Sequence, residues 1–136
     1  MTQRVMCLSV RQPWAWLFAL GYKNIENRTW HTRYRGPLLI HASKGLTHEE
    51  YRTCDRYASS LFVAIPPFDA LERGGIVGMA TLVDCVYQHD SPWFDGPVGW
   101  VLQDARPVPM VPCAGQLGLF EVSATVFSLV MKEAQQ

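Results

Sequence analysis

The chain has 136 residues, 49% of them hydrophobic and 18% charged, and a formal net charge of zero. That length and apolar content suit one core; two domains of half the size would each bury little, so a single domain over 1–136 is expected. The modest charge and ample apolar content exclude a disordered chain, and no apolar run is long enough to span a bilayer.

The elements follow in chain order. Val5 to Val10 is a short apolar run that suits a buried strand. Gln12 to Gly21 reads as a helix: Pro13 fits a first turn, Trp14, Leu17 and Phe18 follow i, i+3, i+4 spacing, Gly21 is a stop, and Ser9 is a candidate cap. Tyr22 to Arg28 alternates and suits a short strand, with Tyr22, Asn24, Glu26 and Arg28 against Lys23, Ile25 and Asn27. A basic turn over Trp30 to Gly36 leads into a strand, Pro37 to Ser43. Thr47 to Phe62 is helical, with Thr47 as cap and Glu50 three residues on; Pro66 and Pro67 end it. Ile76 to Tyr87 is a long strand bent at Gly78, His89 to Gly96 a loop, and Val98 to Leu102 a strand. Arg106 to Pro112 reads as extended loop, and Leu117 to Phe127 as a strand running into a short C-terminal helix. Strands outnumber helices without βαβ alternation. The expected fold is therefore α+β, a curved antiparallel or mixed barrel-like sheet flanked by two or three helices.

Charge is uneven along the chain. Met1 to Arg56 holds nine Lys or Arg and four Asp or Glu; Tyr57 to Gln136 holds three and eight. This points to a basic face for an anionic partner, or to two halves that interdigitate so that the charges mix. Cys7, Cys54, Cys85 and Cys113 form no CxxC pair. With no secretory leader, a reducing, cytoplasmic setting is the default expectation. The four histidines lack zinc-site spacing, and no P-loop, GxGxxG or GxSxG occurs, so neither metal nor cofactor is expected.

The stretch Gln12 to Lys44 holds the candidate chemistry. Lys23, Glu26 and Arg28 lie within six positions. A carboxylate favours the Lys23 ammonium, burial opposes it, and the Arg28 fork suits a phosphate, a carboxylate or Glu26 itself. The plain alternative is a solvated strand with an ordinary ion pair. Thr29 to Arg35 interleaves aromatics with bases, which suits single-stranded nucleic acid or a hairpin loop whose Trp30 and Tyr34 cover the core. His41 and Ser43 share a strand face opposite Ile40 and Ala42, and Lys44 follows; His41 is either a base-edge reader, a general base, or a half-buried hydrogen-bonded ring. Trp100 points into core or cleft, beside a Gly99 that permits close approach.

These segments resemble a known family. LSVRQPWAWLFALGYKNIENR, WHTRYRGPLLIHASK, GWVL and GQLGLF are together similar to an ASCH domain, a PUA-like β-barrel, over about Cys7 to Phe120. The most specific part is G-x-K-x-x-E-x-R at Gly21, Lys23, Glu26 and Arg28. The resemblance implies a cleft beside the barrel that binds RNA, other single-stranded nucleic acid or a nucleotide. On that reading Lys23, Arg28 and Lys44 contact phosphate, Trp14, Trp30 or Tyr34 stacks a base, Gln12, Glu26 and Ser43 meet the base edge, and His41 lines the same site. Some members are amidohydrolases of N4-acetylcytidine that use a Lys, a Thr three residues later and a distant Glu. Here Lys23 matches, but Glu26 stands in place of the Thr, which removes the hydroxyl nucleophile. A hydrolase of a modified nucleoside or of RNA would instead use Lys23 and Glu26, with His41 as an acid. A third reading is an interaction scaffold, motivated by Trp93, Phe94 and Pro107 to Pro112 as an exposed patch.

Overall fold

A computed structural model describes residues 5–135. The order of elements is β1 (Met6–Val10), α1 (Trp14–Ala19), β2 (Ile25–Arg28), β3 (Gly36–Ala42), α2 (His48–Ser60), β4 (Gly75–Val86), β5 (Val98–Pro112), β6 (Leu119–Glu121) and α3 (Ala124–Ala134), with a 3-10 turn at Phe68–Ala70. The strands form one sheet in the order β2-β5-β4-β3-β1-β6, antiparallel throughout except for the parallel β1–β3 pair. The fold is α+β, a mixed six-stranded half-barrel with three helices.

Strand alternation builds two cores. Leu8 and Val10 of β1 and Leu38, Ile40 and Ala42 of β3 face inward with Phe18, Trp100 and Leu102. The intervening Cys7 and Leu39 face outward and pack with Ile76, Val108, Val111 and Val130. A third cluster, Leu17, Ile25, Cys54, Ala58 and Trp93, sits under α2. The sheet curls: Arg28 of β2 donates from Nη2 to the Ser9 carbonyl of β1 at 3.2 Å. On a flat sheet those strands, four spacings apart, would lie roughly 19 Å from each other. The backbone ladder stays open, because β2 and β6 remain as its two edges.

Several expectations need correction. The first helix is shorter than Gln12–Gly21, and Ser9 does not cap it; Pro13 is at the N-cap, and the Gln12 carboxamide accepts from the Trp16 N–H at 2.9 Å. β2 begins only at Ile25, since Tyr22 leaves the alternating row to stack on Trp16. α2 carries the expected Thr47–Glu50 capping box but stops at Ser60, short of Phe62 and the two prolines. Register shifts flank Gly78, where a Cβ would stand 2.6 Å from the Ala19 Cβ, so its bareness lets α1 press on the sheet. Arg106 to Pro112 is strand, not loop: beyond Leu102 β5 pairs only with β4, and on such an edge a proline's missing N–H is tolerated. Leu117 to Phe127 holds just three strand residues, because Ser123 caps α3 by accepting from the Val126 N–H at 3.2 Å. No helix among the described residues is long and apolar enough to cross a membrane.

The halves do interdigitate. C-terminal β5 and β4 lie between N-terminal β2 and β3, β1 lies between β3 and C-terminal β6, and Arg35 of the first half stands 3.9 Å from Asp84 of the second. The basic excess is thereby partly neutralised within the molecule.

Candidate functional site

A cavity of about 610 Å³ opens between β1, α1, β2, α2 and the loop before β5. Its wall includes Ser9, Arg11, Trp14, Lys23, Glu26, Asn27, Arg28, Thr53, Tyr57, Trp93, Phe94 and Asp95. The volume falls in the roughly 300–1,000 Å³ range of small-molecule sites.

Lys23 is 6% exposed. Its ammonium donates to the Ile25 carbonyl, two residues along the chain. The Phe18 ring centre lies 4.8 Å from Nζ, with Trp14 and Trp93 at 5.7 and 5.8 Å. Burial pushes its pKa below the ordinary lysine range, opposed by the charges of Glu26, Cys54 and Asp95 in that order. The aromatic faces are the compensation for a buried cation.

Glu26 and Arg28 face the same way on β2, two residues apart. Arg28 Nη2 donates to Glu26 Oε2 at 3.1 Å, and both side chains are largely covered. The guanidinium is also 5.8 Å from the Trp100 ring centre. Its Nε is buried with no partner, and Glu26 Oε1 accepts no hydrogen bond among the described residues. The pair is thus satisfied internally only in part: Glu26 Oε1 and Arg28 Nη1 make no hydrogen bond among the described residues. Across the mouth, Arg11 makes a two-pronged bond to Glu50 at 2.5 and 2.6 Å, which holds the Glu50 carboxylate down at about 2.

The aromatic wall comes from three elements. Trp14 of α1 and Tyr57 of α2 both meet Trp93 edge-on, with centroids 6.5 and 5.3 Å apart. The Tyr57 hydroxyl donates to the Pro92 carbonyl. Asn27 fixes the same loop: Nδ2 donates to the Trp93 carbonyl at 3.0 Å, while Oδ1 accepts from the N–H groups of Asp95 and Gly96 at 2.8 and 3.0 Å. Trp93 is 7% exposed, and Val108 and Val111 of the proline-rich stretch are buried under α3. That packing covers Trp93 and the two valines, while Pro107, Pro109 and Pro112 stay exposed.

The expected residues are not all together. Trp14, Lys23, Glu26 and Arg28 share the cavity. Gln12 is 2% exposed and occupied as a cap, its amide also donating to the Glu72 carbonyl at 2.8 Å. Trp30 and Tyr34 cover the core: Trp30 meets Trp100 edge-on at 4.9 Å, and Tyr34 packs against the inner cluster. His41, Ser43 and Lys44 line a second cavity of about 440 Å³ on the outer face of β1 and β3. Arg11, Asn27, Thr53, Tyr57, Phe94 and Asp95 were missed as wall residues; Tyr57 carried only a helical-spacing signal. No group of three or more metal-ligating side chains gathers among the described residues.

A small half-barrel with a charged, aromatic-walled cleft beside the strand that follows its first helix defines a class of domain. A family model for the ASCH domain matches residues 8–101, and the chain belongs to that family. It is 37% identical over 86 residues to human activating signal cointegrator 1 and 34% identical over 86 residues to the mouse protein. Each match takes in 60% of this chain but only 14% of the relative's length. Among solved structures, an ASCH protein from Zymomonas mobilis superposes with a TM-score of 0.57 at 12% identity, covering 94% of both chains. A tyrosine-to-phenylalanine mutant of it gives 0.58 at 11%, covering 96% of this chain and 98% of that one. At such identities the likeness is one of fold.

Proposed function

We propose that the first cavity binds a base of single-stranded nucleic acid, RNA foremost, or of a nucleotide. The observation that carries this is the joining, in one half-open cavity, of Trp14, Tyr57 and Trp93 with the Glu26–Arg28 pair. Aromatic rings stack any base face; the free Glu26 oxygen suits an exocyclic amine; the cations Arg28 and Arg11 at the rim suit the sugar-phosphate. Fluorescence anisotropy with labelled single-stranded RNA tests it. Affinity falls as salt rises, because phosphate contacts release counterions. Trp14→Ala weakens binding by about 1–3 kcal/mol, the worth of one stacked base. Binding indifferent to salt and to this substitution refutes the reading.

One observation favours a hydrolase of a modified nucleoside as a second reading. Burial lowers the Lys23 pKa, which favours the unprotonated amine that can accept a proton, and Glu26 stands beside it in the wall. Incubation with N4-acetylcytidine, followed by chromatography, tests it: turnover lost in Lys23→Ala and Glu26→Gln supports the mechanism, and turnover that survives both eliminates it.

A further inference from the structure

Ser9 lines both the first cavity and the second. The second cavity's wall is formed by Ser9, His41, Ser43, Lys44, Gly74 and the segment Cys113 to Leu117, and holds no carboxylate. Lys44 is exposed, and its ammonium has no carboxylate partner among the described residues. Its stem lies against Gly74, where a Cβ would stand 3.2 Å from the Lys44 Cγ and Cε. Arg73 adds a second cation nearby, donating to the Lys44 carbonyl at 3.0 Å.

His41 supplies the polar feature. Its ring is 3% exposed, Nε2 donates to the Cys113 carbonyl at 2.8 Å, and Nδ1 is buried with no partner. In the neutral ring that Nδ1 is an unused acceptor, and burying it unpaired costs free energy that an incoming donor recovers. Gly115 stands against it: a Cβ there would lie 2.9 Å from Nδ1 and 2.7 Å from Cε1.

We infer that the second cavity holds the nucleotide adjoining the one in the first, so that the ligand is a strand of at least two nucleotides crossing Ser9. This rests on the nucleic-acid reading of the first cavity. Arg28, bonded to the Ser9 carbonyl, stands at the crossing and suits the bridging phosphate. Lys44 takes the next phosphate, and a ribose hydroxyl or base N–H donates to His41 Nδ1.

The test compares pooled nucleoside 5′-monophosphates with random-sequence RNA and DNA tetranucleotides on the full chain, by anisotropy and competition. Tetranucleotides bind at least about tenfold tighter than monophosphates. Lys44→Glu and Gly115→Ala, both at exposed positions, erase that advantage and leave monophosphate affinity unchanged; Trp14→Ala weakens both probes. Lys44→Glu also lowers the salt slope of tetranucleotide binding by about 0.7, one phosphate contact on a single strand. An RNA preference over DNA that Gly115→Ala abolishes identifies the 2′-hydroxyl as the donor. Tetranucleotides that bind no tighter than monophosphates, or an advantage that survives both variants, overturns the two-nucleotide track and leaves the base pocket standing. If neither probe binds, the base pocket falls and the track falls with it.

Discussion

Lys23 carries opposite demands on a single nitrogen. It is nearly buried among three aromatic rings, yet its charge is drawn towards Glu26. Its folded pKa lies below the unfolded value of about 10.4, so between the two the folded chain binds fewer protons and stability rises with pH. The penalty is fully present below the folded value and vanishes above about 10.4. Lys23→Met should therefore melt at a higher temperature than the native chain at about pH 7, with the gap narrowing near pH 10. Calorimetry at both pH values reads this, and a gap independent of pH would assign the effect to packing alone. The Lys23, Glu26 and Arg28 cluster was legible in the sequence because two-residue alternation puts Glu26 and Arg28 on one face. Gln12 was not legible as a cap: its partners are the Trp16 N–H and the distant Glu72 carbonyl, and no local pattern announces the second. Arg28→Lys should weaken RNA binding although the charge is kept, because an ammonium lacks the planar fork that bonds Glu26 and the Ser9 carbonyl while lying near the Trp100 ring.

At the scale of elements, α2 was legible at its start and not at its end. Thr47 and Glu50 announce a capping box from sequence alone, whereas the helix stops six residues before the prolines that seemed its natural limit. Thr47→Ala should cost about 1 kcal/mol in denaturant unfolding. Since α2 presents Thr53 and Tyr57 to the cleft, the same variant loosens the site, so its loss of RNA affinity exceeds that of a surface control; equal losses would separate cap from cleft. Tyr57→Phe isolates one contact. It keeps the ring against Trp93 and removes the hydroxyl bond to Pro92, so RNA should dissociate faster with little change in melting temperature. β5 and the start of α3 were misread for separate reasons. Three prolines looked like loop because the sequence does not reveal that this part of the strand has a neighbour on one side only, and Ser123 was absorbed into an apolar run it in fact terminates.

The whole molecule is a sheet rolled about Trp100, which is fully buried and donates from Nε1 to the Trp30 carbonyl at 3.1 Å. Trp100→Ala should cost about 3–5 kcal/mol. The curvature was legible as a class, since many strands without βαβ alternation imply it; the contact of β2 with β1 was not, because a bond between residues 28 and 9 emerges only when the intervening strands have curled. That incomplete closure has a consequence for self-association. A sheet with two edge strands is a template on which further chains can zip, and such edges must be blunted. Here one border is β6, three residues long, and the other is β2, four residues long, continued by the stretch of β5 in which Pro107, Pro109 and Pro112 offer no amide hydrogen. The prolines that disguised a strand in the sequence are what make it a poor seed for fibrils.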